Sequence, residues 1–261
     1  MNVDSPFLCF QKGNIVEVSG ESGSGKTQIA LQLCVDFQRL FPTERILWIS
    51  SEGPFPSSRL KEIGTETELL ALDFNINRPT MTDEEEAHEP LLLRGASFDY
   101  CSRVRVLSTI QASKGSEGKI FSSEATEEYG LVVVDSIAGM FRGTYETGEA
   151  IERSRVLSEI AGHLRQWTDR GALVLVLNQV TDVLDEGRGE AGVDYLGIKK
   201  VVPALGTSWA HVPNSRLLLS KKLSPPGIRL LKVLSSCVCA TSLKIELVVD
   251  KCGIHPPDYP F

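Results

Sequence analysis

Three glycines, a lysine and a threonine fall within one short stretch, Gly20-Glu21-Ser22-Gly23-Ser24-Gly25-Lys26-Thr27. Their spacing is that of the phosphate-binding loop G-x-x-x-x-G-K-[ST], matched at every fixed position. Glycine lets the backbone turn through left-handed conformations and approach a ligand closely. Successive N–H groups then converge into an anion nest, and the positive end of the next helix adds to it. Lys26 would reach the β- and γ-phosphates of a nucleoside triphosphate. Thr27 would give its hydroxyl to Mg²⁺, an ion that keeps several waters and borrows phosphate oxygens. ATP contacts are therefore expected from Gly20, Glu21, Ser22, Gly23, Ser24, Gly25, Lys26, Thr27 and Gln28.

Three further groups stand where apolar runs end. Leu131-Val132-Val133-Val134-Asp135 delivers a carboxylate on a rigid, buried strand. Asp135 is placed to hold Mg²⁺ through water, as nucleotide hydrolases require. Arg45-Ile46-Leu47-Trp48-Ile49-Ser50 runs into Ser51-Glu52-Gly53. A carboxylate just past the C-terminal end of a parallel strand sits at the edge where α/β folds bind ligands. Ala172 to Leu177 ends in Asn178-Gln179, and Gln179 there is positioned to sense a γ-phosphate and pass its presence to the next loop.

The elements that must position these groups follow from periodicity. Ile15 to Ser19 reads as a strand entering the phosphate loop, and Thr27 to about Leu40 as a helix stopping before Pro42. Pro56 to Glu62 reads as a short helix. Residues 64–102 read as an insertion loop, with a like-charge block from Thr80 to Pro90 that suits a solvated excursion. Val104 to Leu107 is a short strand, and Ser108 to Tyr129 has only weak helical periodicity. Ser136 to Gly148 reads as a loop. Glu149 to Trp167 reads as a long helix with Ile151, Leu157, Ile160, Ala161 and Leu164 facing the core. Val180 to Val202 is a long glycine-rich loop, a kind that in compact domains is usually functional or disordered. Asn214–Ser220, Ile228–Leu234 and Ser242–Val249 read as strands extending the sheet antiparallel, with a turn at Pro225-Pro226-Gly227. The expected architecture is an α/β core spanning residues 1–250, a mainly parallel twisted sheet flanked by helices, followed by a loose tail over 251–261.

The net charge of −7 argues against a generally basic nucleic-acid binder, so any DNA contact must come from a local patch. The six cysteines are scattered without CxxC or Cys/His zinc spacing, which points to reduced thiols in a cytosolic or nuclear protein. The first residues carry no secretory pattern, and no apolar run reaches membrane-spanning length. His88, His163, His211 and His255 form no spaced cluster and are given no metal. Trp48, Trp167 and Trp209 are read as core residues.

Taken in order, these stretches resemble the RecA-type recombinase ATPases. Gly20–Thr27, Ser51-Glu52-Gly53-Pro54-Phe55-Pro56 with Arg59-Leu60, Leu131–Ser136 and Leu177-Asn178-Gln179-Val180 carry the resemblance. Thr27-Gln28-Ile29-Ala30-Leu31-Gln32-Leu33 looks like the eukaryotic branch. Val202–Ala210 with Asn214-Ser215-Arg216-Leu217 is similar to recombinase paralogues. The resemblance implies a RecA-like P-loop core and a DNA-stimulated, Mg²⁺-dependent ATPase of homologous recombination. It implies Glu52 as the general base activating water, Lys26 on the phosphates and Gln179 as the γ-phosphate sensor. It implies two DNA-facing loops, Arg142–Gly148 and Val180–Val202, in which Arg142, Arg188, Lys199 and Lys200 are the candidate DNA contacts. The implied setting is the nucleus, with the cytoplasm as a second location. The implied partners are single-stranded or branched DNA, other recombinase paralogues and the strand-exchange recombinase, with no membrane.

The chain departs from the family pattern in three places. The family's N-terminal helical domain and its linker are expected to be missing, and the segment before Asp135 reads as degraded as a helix. Cys237–Ala240 lacks the proline-bearing cap that reaches a neighbour's ATP. A competing reading is therefore an adaptor subunit that holds ATP with little or no hydrolysis. A weaker one is a RecA-like kinase or clock-type ATPase unrelated to DNA.

Overall fold

The computed structural model describes residues 6–76, 99–109, 117–124, 126–145, 147–182, 201–222 and 226–257. In chain order the strands and helices are β1 (Ile15–Gly20), α1 (Lys26–Leu40), β2 (Ile46–Ser50), α2 (Ser57–Ile76), β3 (Val104–Ser108), α3 (Glu117–Ser123), β4 (Leu131–Asp135), α4 (Ile137–Phe141), α5 (Ala150–Asp169), β5 (Leu173–Asn178), β6 (Val180–Asp182), β7 (Val201–Pro203), α6 (Gly206–Ala210), β8 (Ser215–Lys221), β9 (Arg229–Ser236), β10 (Lys244–Asp250) and β11 (Gly253–His255).

Among the described residues nine strands form one sheet in the order β11-β10-β9-β8-β1-β5-β4-β2-β3. The pairs from β8 to β3 are parallel, and β8-β9, β9-β10 and β10-β11 are antiparallel. The reason is legible strand by strand. Buried parallel strands need apolar residues on both faces. Leu131 and Val133 of β4 pack with α1 and α2, while Val132 and Val134 pack with α4 and α5. Ile46 and Trp48 of β2 take the first side, Leu47 and Ile49 the second. Burying each such side chain is worth about 1.5–3 kcal/mol.

The register sets the site. Ser50 pairs with Asp135, Asp135 with Leu177, and Ser19 with Asn178. The C-terminal tips of β1, β5, β4 and β2 therefore meet along one edge, where open α/β sheets bind ligands.

Several expected boundaries move. The helix after Pro56 does not stop at Glu62 but runs to Ile76, so the insertion begins later than residue 64. Gly64 does not break it, because the missing Cβ makes room for the Tyr100 ring, which any side chain there would strike. The acidic block lies outside the described residues. The stretch 136–148 is not simply a loop: Ser136 caps α4 through its hydroxyl, which accepts from Gly139 N at 3.2 Å. A 3-10 turn, Thr147–Glu149, leads into α5. Ile151 is 88% exposed rather than core-facing, and Val156 joins Leu157, Ile160, Ala161, Leu164 and Trp167 on the buried face. The ends of the 180–202 loop pair as an antiparallel ribbon, Val180 with Pro203 and Asp182 with Val201.

The tail from Lys251 is the largest correction. Val249 pairs with Ile254 and Asp250 with Gly253, so β11 closes a hairpin onto the sheet. Gly253 adopts φ 113, and a Cβ there would strike the Gln32 side chain of α1. Among the described residues no helix is long and apolar enough to cross a membrane. All six cysteines are free, and Trp48, Trp167 and Trp209 are buried.

Candidate nucleotide site

β1 feeds the phosphate loop and α1 leaves it, so the loop is pinned at both ends by core packing. Gly25 stands at the N-cap of α1 with φ 109, and Gly23 has φ 68, conformations that favour glycine. Gly20 is held against β8, where a Cβ would strike the Leu219 carbonyl and come within 2.7 Å of Ser24 Oγ. The loop and its neighbours open a cleft of about 470 Å³ lined by Gly23, Gly25, Lys26, Thr27, Gln28, Arg59, Arg229 and Val249.

Beside Lys26 and Thr27 of this cleft the titratable groups converge. Lys26 Nζ donates to the carbonyls of Gly20 at 2.7 Å and Glu21 at 2.8 Å. Thr27 Oγ1 donates to Asp135 Oδ2 at 3.1 Å. Burial pushes the Lys26 ammonium below its ordinary range, and the negative charges of Asp135 and Glu52 push back. Burial raises the Asp135 carboxyl; the Thr27 hydroxyl and Lys26 oppose that rise, while the charge of Glu52 adds to it. Lys26 and Asp135 thus share a poorly solvated space, with the more exposed Glu52 close enough to act on both charges.

The residues fit Mg²⁺ and a triphosphate. Ser24 Oγ is buried with no hydrogen-bond partner, a polar atom left over inside the nest. Among the described residues no group of three or more His, Cys, Asp or Glu side chains could hold a metal alone. Thr27 and Asp135 are only two ligands, which suits an ion that takes its remaining oxygens from phosphate and water.

Glu52 lies beyond β2 and faces the same edge. Its Oε1 accepts from Ser136 Oγ at 3.1 Å and from Gln179 Nε2, and Arg142 NH2 stands 3.4 Å away. Arg142 NH2 also donates to Gln179 Oε1. Glu52, Gln179 and Arg142 therefore meet as a closed triangle at the strand tips. Behind Gln179, its backbone N–H donates to Asn178 Oδ1 at 2.8 Å. Asn178 Nδ2 donates to Glu17 Oε1 at 2.6 Å, which also accepts from Trp209 Nε1 at 3.1 Å. Arg216 Nε donates to Glu17 Oε2 at 2.5 Å. This fully buried carboxylate on β1 ties β5, α6 and β8 together.

Of the expected site residues, the structure brings Gly20 through Gln28, Glu52, Asp135, Gln179 and Arg142 to one edge. Arg188, Lys199 and Lys200 lie outside the described residues. Sequence reading missed Ser136, which holds Glu52, and Lys221, whose Nζ donates to Ser22 O at 2.9 Å. It also assigned no structural role to Arg59. That guanidinium holds Gln28 Oε1 at 2.9 Å, Lys251 O at 3.1 Å and Asp250 O, joining α1 to the β10–β11 turn. A serine directly after the strand-end aspartate was the available signal for Ser136; nothing local pointed to Lys221 or Arg59.

The sheet order, the loop and the two strand-tip carboxylates define a P-loop nucleotide-binding fold of the RecA type. A sequence model of the Rad51 family matches residues 116–256, more than half of the chain, and the chain belongs to the Rad51 family. It is 28% identical over 226 residues to the DNA repair protein XRCC3 homolog of Arabidopsis thaliana, covering 80% of this chain and 69% of that one. It is also 28% identical over 251 residues to DNA repair protein XRCC3 of Bos taurus, covering 90% of this chain and 67% of that one. DNA repair protein RAD51 homolog 2 of Mus musculus is 26% identical, with 79% of this chain and 60% of that protein covered. The chain thus spans about two thirds of the length of these relatives. In fold it is similar to the RadB recombinase crystal structure, with TM-score 0.63, 22% identity, and 95% of this chain and 93% of that one covered.

Proposed function

We propose that this Rad51-family chain binds and hydrolyses Mg²⁺-ATP as a recombinase paralogue, acting on DNA in homologous recombination and double-strand-break repair in the nucleus. Its proposed partners are single-stranded or branched DNA, other recombinase paralogues and the strand-exchange recombinase. One observation carries the catalytic part. The Thr27 hydroxyl and Asp135 carboxylate stand 3.1 Å apart beside Lys26, with Glu52 near enough to act on both charges. The names of the similar relatives support the repair setting.

The loop amides and Lys26 bind the phosphates, and Thr27 and Asp135 hold Mg²⁺. When bound, the ion neutralises charge that develops on the phosphate oxygens. Glu52 takes the proton of the attacking water, and Ser136 orients it. Gln179 stands against Glu52 and begins the stretch that reaches β6, so it is placed to couple phosphate and loop. Gln28, Arg59, Arg229 and Val249 wall the cleft outside the phosphate loop.

The test is ATP turnover with and without single-stranded DNA in the parent and in Glu52→Gln. Removing a general base costs about 10²–10⁴ in kcat. The variant is expected to lose at least about 100-fold on that scale with ATP affinity kept. Equal turnover in both would end the assignment of Glu52.

A second reading, ATP as a structural ligand of a paralogue complex, is favoured by the Cys237–Ala240 segment, where no proline stands to reach a neighbouring site. Full partner binding by Lys26→Ala without nucleotide would count against it.

A further inference from the structure

Lys221 is the last residue of β8, and no part of the nucleotide motif calls for it. Parallel pairing of β1 with β8 sets Gly20 against Leu219, so Lys221 comes level with Ser22 as the two strands end. Its Nζ donates to Ser22 O at 2.9 Å, and a Cβ on Gly23 would stand 3.2 Å from the same nitrogen. Ser22 and Gly23 are the central residues of a turn closed by Ser24 N, which donates to Glu21 O at 3.1 Å. Gly23 has φ 68 and Ser22 is not left-handed, the signature of a type II turn. Types I and II differ mainly by a rotation of the central peptide plane through roughly 150°. Glycine accepts either sign of φ, so Gly23 permits that choice without making it. In a trans peptide the C=O and N–H of one plane point in opposite directions. With the Ser22 carbonyl held by Lys221, the Gly23 N–H is turned away from that side chain. Gly23 lines the cleft, and Lys221 does not.

We propose that Lys221 is a positioning residue of the phosphate loop, holding the Ser22–Gly23 peptide plane so that the Gly23 N–H faces the phosphates of the ligand. The inference rests on the nucleotide reading above and adds the residue that sets the loop's inner surface. Lys26 does not take this part, because its Nζ is on the carbonyls of Gly20 and Glu21. Lys221 is also a second cation near the site: burial lowers the Lys26 ammonium, and the charge of Lys221 adds to that fall. The two effects of Lys221 are separable. A held plane works through one contact at any ionic strength, whereas a charge acting through space is screened by salt.

The experiment measures Mg²⁺-ATP and Mg²⁺-ADP binding to the full chain by calorimetry in the parent, Lys221→Met and Lys221→Arg. It is run at low salt and at about 1 M salt, where charges are screened beyond about 3 Å. Lys221 is exposed, so neither substitution reaches the core. Lys221→Met keeps the apolar stem and removes the donor. It is expected to weaken both nucleotides by about three- to tenfold, the scale of one hydrogen bond, and the loss should persist at high salt. Lys221→Arg should restore most of the affinity, since a guanidinium also donates to a carbonyl. In an amide NMR spectrum the Gly23 signal should move on ATP binding in the parent and in Lys221→Arg, and move less in Lys221→Met. A role confined to stability would not produce that difference. Equal affinity in Lys221→Met, or a loss that vanishes at high salt, overturns the inference and leaves the nucleotide site standing. A parent that shows the expected binding pattern but never hydrolyses ATP ends the ATPase reading and keeps this one. No nucleotide binding by the parent ends both.

Discussion

At the scale of single residues, Asp135 shows how function is set against stability. Its carboxyl is pushed up by burial, with the charge of Glu52 adding to the rise. The folded chain therefore binds this proton more tightly than the unfolded chain does. Stability is lost as pH rises from the ordinary carboxylate value of 3.8 through the raised folded value, and the loss is complete above it. Asp135→Asn removes the charge while its amide oxygen still accepts from Thr27. Thermal unfolding of the nucleotide-free variant at neutral pH is expected a few degrees above the parent, the gap narrowing toward pH 3.8; one kcal/mol is about 2–4 °C in a chain of this size. The same variant should lose the Mg²⁺-dependent part of its stabilisation by ATP, read in the same melting experiment. Equal melting at neutral pH would show that the carboxylate carries no such strain.

At the scale of elements, the proposed catalytic edge is built where β4 passes into α4. Ser51 Oγ donates to Ser136 O at 2.6 Å and accepts from Ser136 N at 3.0 Å, so the end of β2 is stitched to the start of α4. Gly139 in that short helix lets the strand tip come close. A Cβ there would collide with Ser51 Oγ and stand 2.7 Å from Glu52 Cγ. Gly139→Ala is expected to displace Glu52, lowering kcat roughly tenfold or more while KM for ATP holds, since small misplacements of a catalytic group are costly. An unchanged kcat would mean that the β2–α4 seam does not position the base. Here the limits of sequence reading become physical. The phosphate loop, the buried strands and the strand-end Asp135 were legible, because each is a local pattern. The extension of α2 past Gly64 was not, because its cause is the Tyr100 ring, brought in from another part of the chain. Nor was the meeting of Glu52, Gln179 and Arg142, whose sequence distance carries no trace of their contact.

At the scale of the molecule, the sheet is held together by charge as well as by apolar packing. Glu17 is fully buried and accepts from Arg216, Asn178 and Trp209. It joins the parallel half to the antiparallel half at β8. Breaking a buried pair by removing one partner costs about 3–5 kcal/mol. Glu17→Ala is therefore expected to lower the melting midpoint by about 10 °C, using about 2–4 °C per kcal/mol. Because Asn178 backs Gln179, the loss should also blunt any rate response to single-stranded DNA. A shift of only a degree or two would show that the network is ornamental to stability.

The hairpin beside the cleft has a consequence for how the pocket forms. Ile254 of β11 and Leu219 of β8 lie beside Gly25, and Arg59 grips the turn at Asp250 and Lys251. The phosphate loop and this wall lie far apart along the chain, and contacts so distant form slowly. Until the hairpin docks, the cradle stands open on one side, so a ligand held there would report that the long-range contacts of the sheet had formed.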